Sequence, residues 1–241
     1  MLLENWIGSL FNYFGFELRR HPHRTNPEYQ LLIGLKYHNI DHIFDVGANT
    51  GQFSSKIRKL GFEGNIISFE PLCSAYNALI KSTSKDNRWV AYPRCAIGDY
   101  DGDIVINVSE NSVSSSILPM LDTHKEAEKK SNFVTSETVP IHKLDTVTSS
   151  YFENDINAFL KIDTQGYEWN VLNGALNIIP KLKGIHCELS LVLLYQGQHL
   201  WMELLERLEN EGFILWNIQP GFTNIDSGRT LQIDAIFFRD I

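Results

Sequence analysis

The sequence predicts an α/β fold: a mostly parallel sheet of about seven strands with an antiparallel last strand, flanked by helices. Three observations predict it. Short β-rich runs at residues 43–46, 65–69 and 88–92 alternate with stretches of helical spacing at 52–60 and 71–81, and two consecutive β-α-β units imply a parallel sheet. The first strand runs into a loop that carries Gly47 and Gly51, the punctuation of a ligand-binding strand-to-helix turn. Near the end of the chain the rhythm changes: strand-like residues 213–217 and 231–238 are separated only by the turn-rich 220–228, which makes a hairpin-like, antiparallel last pair. The pattern as a whole is Rossmann-like.

The elements follow in order. Asn26 and Pro27 form an N-cap and first-turn pair for a helix over 29–38 that leads into the first strand. Gly61 closes the helix after the glycine loop. Residues 103–108 alternate as a strand, and 138–141 read as another. Between them, 109–137 is polar, serine-rich and poor in apolar anchors, the composition of a long loop or lid. Residues 158–162 read as a buried strand, 167–179 as a helix, 184–189 as a strand and 200–208 as an amphipathic helix. No internal repeat or low-complexity tract interrupts this order. The expected organisation is an N-terminal helical extension over 1–40 and a Rossmann-like domain over 41–241.

With 241 residues, 43% of them hydrophobic, the chain can bury one substantial core. Its 21 Lys and Arg against 29 Asp and Glu leave a net charge of -8, whose averaged field repels phosphate backbones and argues against a nucleic-acid partner. The one dense cationic cluster, Arg19 to Arg24, reads as a solvated linker. Cys73, Cys95 and Cys187 are odd in number and lack C-x-x-C spacing, which fits a reducing, cytoplasmic setting rather than a disulfide framework or a cysteine zinc site. Residues 1–16 are apolar and aromatic but too short to span a bilayer and lack a basic n-region. Leu3, Ile7, Leu10, Phe11 and Phe14 fall at helical spacing with Gly15 suited to end the helix, a stripe that reads as docking against protein, a homo-oligomer contact included, more readily than against a membrane.

The chemistry starts at the glycine loop. A dinucleotide turn normally shows G-x-G-x-x-G, so that helix amides meet a pyrophosphate; here the spacing is G-x-x-x-G, with Asp45 before it and Ala48-Asn49 inside it. An acidic Asp45 repels pyrophosphate but suits the cationic amino-acid end of S-adenosylmethionine. Glu70 ends the second strand roughly 20 residues further on, where a carboxylate in this topology accepts hydrogen bonds from ribose hydroxyls.

Four segments then carry a family resemblance: Phe44 to Gly51, Ser68-Phe69-Glu70-Pro71, Ala96-Ile97-Gly98-Asp99, and Leu160-Lys161-Ile162-Asp163-Thr164-Gln165-Gly166-Tyr167-Glu168 with Asn173-Gly174-Ala175 behind it. In that order they resemble the FkbM family of methyltransferases, from about Ile43 to Phe238. The resemblance implies a class I methyltransferase fold, S-adenosyl-L-methionine as cofactor, and methylation of hydroxyl oxygens on sugars or related natural products. It also implies that Asp45, Gly47, Asn49 and Gly51 hold the methionine part, Glu70 with its neighbour Pro71 the ribose, and Ala96 with Ile97 the adenine edge.

Asp163 and Glu188 each end a predicted strand at the crevice where open α/β sheets bind ligands, and either could take the proton of a hydroxyl acceptor. The rival is a Mg²⁺ ion held by these carboxylates. Glu168 reads equally as a helix cap or as a group pointing into the site, and Lys161 as an alternating, outward-facing residue. His186 alternates with Glu188 and is the third catalytic candidate; His142 reads as structural, and His199 lies in a loop that could meet the acceptor. No H-E-x-x-H motif supports a zinc hydrolase, and no G-x-S-x-G elbow surrounds Ser112 to Ser116. The alternatives are an NAD-dependent oxidoreductase or epimerase, disfavoured by the loop spacing and by the lack of a Tyr-x-x-x-Lys pair, and a non-catalytic nucleotide-binding module.

Overall fold

A computed structural model describes Phe11, residues 13–16 and residues 26–240. Its centre is a seven-stranded sheet in the order β3-β2-β1-β7-β8-β10-β9. The strands are β1 (His42–Val46), β2 (Asn65–Phe69), β3 (Trp89–Ala91), β7 (Ala158–Ile162), β8 (Leu182–Ser190), β9 (Phe213–Pro220) and β10 (Gln232–Arg239). All pairings are parallel except those of β10, which runs antiparallel to both β8 and β9, so the predicted sheet and its reversed last strand are present. The strand order reverses beside β1, where the chain crosses from β3 to β7. This is the switch point at which such sheets open a crevice.

Helices cover both faces. On one face, α1 (Pro27–Tyr37) and α2 (Gln52–Lys59) pack Leu31, Leu32, Leu35 and Ile57 against Ile43, Ile66, Phe159, Ile236 and Phe238. The Asn26 side chain accepts from the Tyr29 amide at 2.8 Å with Pro27 in the first turn, the expected cap. Leu35 is fully buried, and deleting a side chain so placed costs about 2 to 5 kcal/mol, so α1 packs firmly onto this face of the sheet. The opposite face packs Phe44, Val46, Leu160, Ile162, Ile185 and Cys187 against α6 (Glu168–Asn173) and α7 (Trp201–Asn210). Neighbouring residues of β1 and β7 thus alternate between two cores, as strands of a doubly covered sheet must.

Two expectations are corrected here. Residues 109–137 are not one long loop. They contain a 3₁₀ turn (Ser112–Ser114), the short helix α4 (Asp122–Ala127) and the start of β6 (Phe133–Lys143), which pairs with β4 (Ala96–Gly98) and β5 (Gly102–Ser109) in a second, three-stranded sheet. That sheet lies at the surface, and the outer residues of β6 are polar, which is why the segment reads as loop. The segment is also anchored: Ser114, Ser116, Met120 and His124 are buried, and Leu121 and Gln196 tie it to the chain after β8 through Leu194 and Pro119. The second correction is the predicted helix over 167–179, which narrows to α6 and ends at Gly174 before a separate 3₁₀ turn (Ile179–Lys181). The remaining helices are α3 (Cys73–Thr83) and α5 (Leu144–Thr148). Of the N-terminal stripe, Leu3, Ile7 and Leu10 lie outside the described residues; Phe11 and Phe14 are exposed and Gly15 has a φ of +78°.

Candidate active site

The C-terminal ends of β1, β2 and β7 and the first residues of β4 surround an open cleft. Gly47, Asn49, Glu70, Pro71, Ala96, Ile97 and Asp163 all border it, with Phe69, Leu72, Ile106 and Ile117 as apolar wall. The Ser112–Ser116 stretch lies across its mouth, joined to the glycine loop by a 3.2 Å hydrogen bond from Asn49 Nδ2 to Ser112 Oγ.

Gly47 is required by close approach. Its φ is +75°, and a Cβ there would sit 1.8 Å from the carbonyl oxygen of Asp163, so only glycine lets the β1 and β7 loops meet. Gly51 serves another purpose. It does not border the cleft; its hydrogen-bearing face packs on Trp89 and Leu79, where a side chain would collide.

Glu70 is buried at the cleft wall. Its Oε2 accepts from the Asn49 amide at 2.7 Å and its Oε1 from the Leu72 amide at 2.9 Å, leaving each oxygen one further acceptor site. Burial outweighs these hydrogen bonds and pushes its pKa up to about 7.

Asp45 departs from expectation: it does not border the cleft. Its carboxylate is 0% exposed; Oδ2 accepts from Ser54 Oγ at 2.7 Å and Ser68 Oγ at 3.2 Å, and Oδ1 lies 3.4 Å from Lys161 Nζ without a hydrogen bond of its own. Its partners are thus the protein's own hydroxyls and the Lys161 ammonium.

Lys161 is likewise corrected. It does not face outward but is buried, because a parallel sheet covered on both sides has no outward face. Its ammonium lies 3.4 Å from both Asp45 and Asp163, donates to the Gly47 carbonyl at 3.1 Å and stands over the Phe53 ring. Desolvation works against the charge, but the carboxylates win and raise its pKa. Asp45, Lys161 and His186 are direct neighbours across β1, β7 and β8, and Glu188 is opposite Asp234 on β10. The face that is apolar where the strands begin is thus ionic where they end.

Asp163 and Glu188 are brought together by a residue the sequence reading passed over. Gln165, held at a φ of +55°, donates from Nε2 to Asp163 Oδ1 at 3.0 Å and to Glu188 Oε2 at 2.9 Å. Its Oε1 lies 3.0 Å from the hydroxyl of the buried Tyr195, which donates either to it or to the Ser114 carbonyl at 3.2 Å. With the amide oxygen so occupied, both amide hydrogens point at the two carboxylates. Partial burial and the negative charges of Asp163, Glu168 and Asp234 raise Glu188 well above the ordinary carboxylate range. The clue was in the strand ending Lys-Ile-Asp-Thr-Gln, where a polar run directly follows a wholly buried strand.

His186 sits across Asp163 in a neighbouring pocket of about 850 Å³ with Lys161 and Asp234. Its Nε2 is 3.1 Å from Asp234 Oδ1, and its Nδ1 is buried without a hydrogen-bond partner. Glu168 accepts from the Thr164 amide and hydroxyl and the Gly166 amide on one oxygen, so it caps the turn and does not border the cleft. His199 does not reach the site either. It stacks on Trp169 and pairs with Glu203 at 2.9 Å. Among the described residues no three His, Cys, Asp or Glu side chains gather as a metal-ligand set.

The Methyltransferase FkbM domain family matches residues 45–215, from the glycine loop to β9. The chain belongs to this family. It is an S-adenosylmethionine-dependent methyltransferase. Neither the nicotinamide-dependent alternative nor the non-catalytic one gains support from the match. No curated protein matches the chain in sequence. Among solved structures it is similar to a TehB-like SAM-dependent methyltransferase from Corynebacterium glutamicum (12% identity, TM-score 0.41, 98% of this chain and 97% of that one). It is also similar to a candidate RNA methyltransferase from Pyrococcus horikoshii (13%, 0.45, 93% and 88%) and a candidate O-methyltransferase from Klebsiella pneumoniae (9%, 0.46, 98% and 89%). At these values the likeness carries nothing about substrate. No helix among the described residues is long and apolar enough to cross a membrane.

Proposed function

We propose that this FkbM-family chain methylates a hydroxyl oxygen of a carbohydrate or related small natural product, with Asp163 and Glu188 handling the proton. The observation that carries the proposal is the Asp163–Gln165–Glu188 bridge, at 3.0 and 2.9 Å, whose Asp163 and Gln165 border the cleft.

The cleft fits the cofactor. Glu70 has free acceptor sites for two ribose hydroxyls, with Pro71 beside it; Ala96 and Ile97 offer an apolar edge for adenine; Gly47 and Asn49 face the methionine part. The pocket behind the glycine loop pairs the Lys161 ammonium with the carboxylates of Asp163 and Asp234, complementary to a zwitterionic amino-acid tail. S-adenosylmethionine would supply an electrophilic sulfonium methyl, whose carbon–sulfur bond breaks to a neutral thioether as the carbon–oxygen bond to the acceptor forms.

The protein's part is to orient the acceptor and remove its proton. A hydroxyl is a poor nucleophile until its proton is leaving, and a carboxylate of raised pKa, such as Glu188, is a stronger base when ionised than an ordinary one. Gln165 keeps the two carboxylates close, so a proton taken by one is stabilised by the charge of the other. His186, directed at Asp234, supports the charged wall and is the next candidate base. Asp163 Oδ1 and Glu188 Oε2 both accept from the Gln165 amide, which supports direct proton removal rather than a shared Mg²⁺. Residues 41–241 would carry the reaction and 1–40 the extension, with a cytoplasmic setting and self-association through the N-terminal stripe as the remaining parts of this reading.

The test is radiolabelled methyl transfer by Asp163→Asn and Glu188→Gln, which keep shape and lose charge. Turnover should fall by about 10² to 10⁴-fold while S-adenosylhomocysteine affinity changes far less. Turnover by the wild type should survive EDTA; a loss reversed by Mg²⁺ would replace the direct base with a metal. Near-normal turnover in both variants with EDTA silent would move the chemistry elsewhere.

A further inference from the structure

We infer that the acceptor binds in the pocket of about 580 Å³ walled by His124, Phe222, Gln165 and Glu188, across Asp163 from the cofactor cleft, with His124 as the hydrogen-bonding group that orients it. This rests on the methyl-transfer reading above and adds to it the place, the orienting residue and the charge preference of the acceptor.

Three depressions meet at Asp163. The first is the cofactor cleft, the second holds Lys161 and His186, and the third holds His124, Phe222 and Glu188. The second takes in the glycine loop and carries the ammonium that suits an amino-acid tail, so the third is left to face the reacting methyl from the other side. Gln165 borders both the cleft and the third pocket, and its amide is directed at Asp163 and Glu188. A molecule in the third pocket therefore has the proposed base at one edge.

His124 is the independent observation. It stands on α4, only 2% exposed, with its ring 5.3 Å from that of Tyr195 and 5.2 Å from that of Phe222. Its Nδ1 has no hydrogen-bond partner although it is buried. Burying an unpaired ring nitrogen is unfavourable, and a site that does so for no structural return is a place where a ligand supplies the missing partner. Burial also lowers the pKa of His124, so the ring is neutral and offers one donor and one acceptor, the complement of a hydroxyl.

The remaining walls fix the class of ligand. Phe222 gives an apolar ring face, Asn111 and Gln232 give amides, and Glu128 and Asp163 give negative charge. An aromatic face among amides and carboxylates suits a neutral polyhydroxylated ring, and the carboxylates repel acceptors bearing phosphate or carboxylate near the reacting hydroxyl.

Saturation-transfer NMR on the full chain with S-adenosylhomocysteine present tests this. The probes are the methyl glycosides of glucose, galactose, mannose, rhamnose and xylose, with glucuronic acid methyl glycoside as the anionic control. At least one neutral glycoside should receive saturation, and the anionic one none. His124→Leu and Phe222→Ala should cut that transfer at least fivefold, with His124→Gln intermediate, while S-adenosylhomocysteine affinity stays within twofold, which also certifies that the variants are folded. Should Phe222→Ala lose cofactor binding, His124→Gln alone decides. Cofactor binding without transfer to any neutral glycoside, or transfer that survives the His124 variants, overturns this inference and leaves the methyltransferase reading standing. Failure of the wild type to bind S-adenosylhomocysteine overturns that reading, and this inference with it.

Discussion

Lowering the pH from 8 to 6 should weaken S-adenosylhomocysteine binding about tenfold, close to 1.4 kcal/mol, through Glu70 alone. The carboxylate is buried at the cleft wall with a pKa near 7, because desolvation exceeds the help of the Asn49 and Leu72 amides. Ribose hydroxyls donate to a carboxylate, so the ligand selects the ionised form, and the protonated fraction must first be titrated. That fraction is about nine-tenths at pH 6 and one-tenth at pH 8, which gives the tenfold change and the release of nearly one proton per ligand at pH 6. The sign in the ligand-free protein is opposite. A carboxylate whose pKa is raised in the folded state costs stability as the pH climbs from its unfolded value through 7, so the thermal shift produced by saturating ligand should grow over the same window. Calorimetry in two buffers of different ionisation enthalpy measures both affinity and proton release. An affinity flat between pH 6 and 8, or no buffer-dependent heat at pH 6, would refute the argument. Glu70→Ala, which removes both ribose acceptors, should cost about 2 to 4 kcal/mol at pH 8 and flatten the profile.

Gly47→Ala places a methyl group against the Asp163 carbonyl and should lower stability by at least about 2 kcal/mol and abolish cofactor binding, read by thermal denaturation with and without S-adenosylhomocysteine. Hydrogen exchange should find the β6 amides that pair with β5, up to Glu137, protected in the ligand-free protein; fast exchange through all of 109–137 would restore the free-loop picture. Lys161→Met removes the cation between two carboxylates and should weaken S-adenosylhomocysteine and shift the pH profile of turnover upward, because Asp163 then faces Asp45 uncompensated; unchanged affinity and profile would make the lysine a packing residue.

What could be read from the chain divides along a physical line. Strands β2 and β7 are legible to the residue because each is a mostly apolar run bounded by turn chemistry, and Glu70's place at the cleft is legible because a carboxylate follows β2 beside the glycine loop. β6 is legible only over 138–141: its partners β4 and β5 are distant in sequence, and the residues of its first half mostly face water, so no local pattern marks 133–137. The same separation hides Tyr195, which fixes Gln165 from thirty residues away, and His124, whose ring meets Tyr195 and Phe222 only in the folded chain.

Lys161 shows how one wrong premise propagates. Read as a strand residue of alternating exposure it points to solvent, yet the strand around it, Ala-Phe-Leu-Lys-Ile, is apolar at every other position, and a central parallel strand is covered on both sides. A lysine there must be paired, and the register supplies the partner at once: Lys161 is opposite Asp45 on β1, with Asp163 two residues ahead on the same face. Asp45 and Asp163, which the linear reading treated as two separate ligands for two ends of the chemistry, are therefore one charge system. Its cation holds the glycine loop by the Gly47 carbonyl, so a single ammonium ties the loop at the cofactor cleft to Asp163.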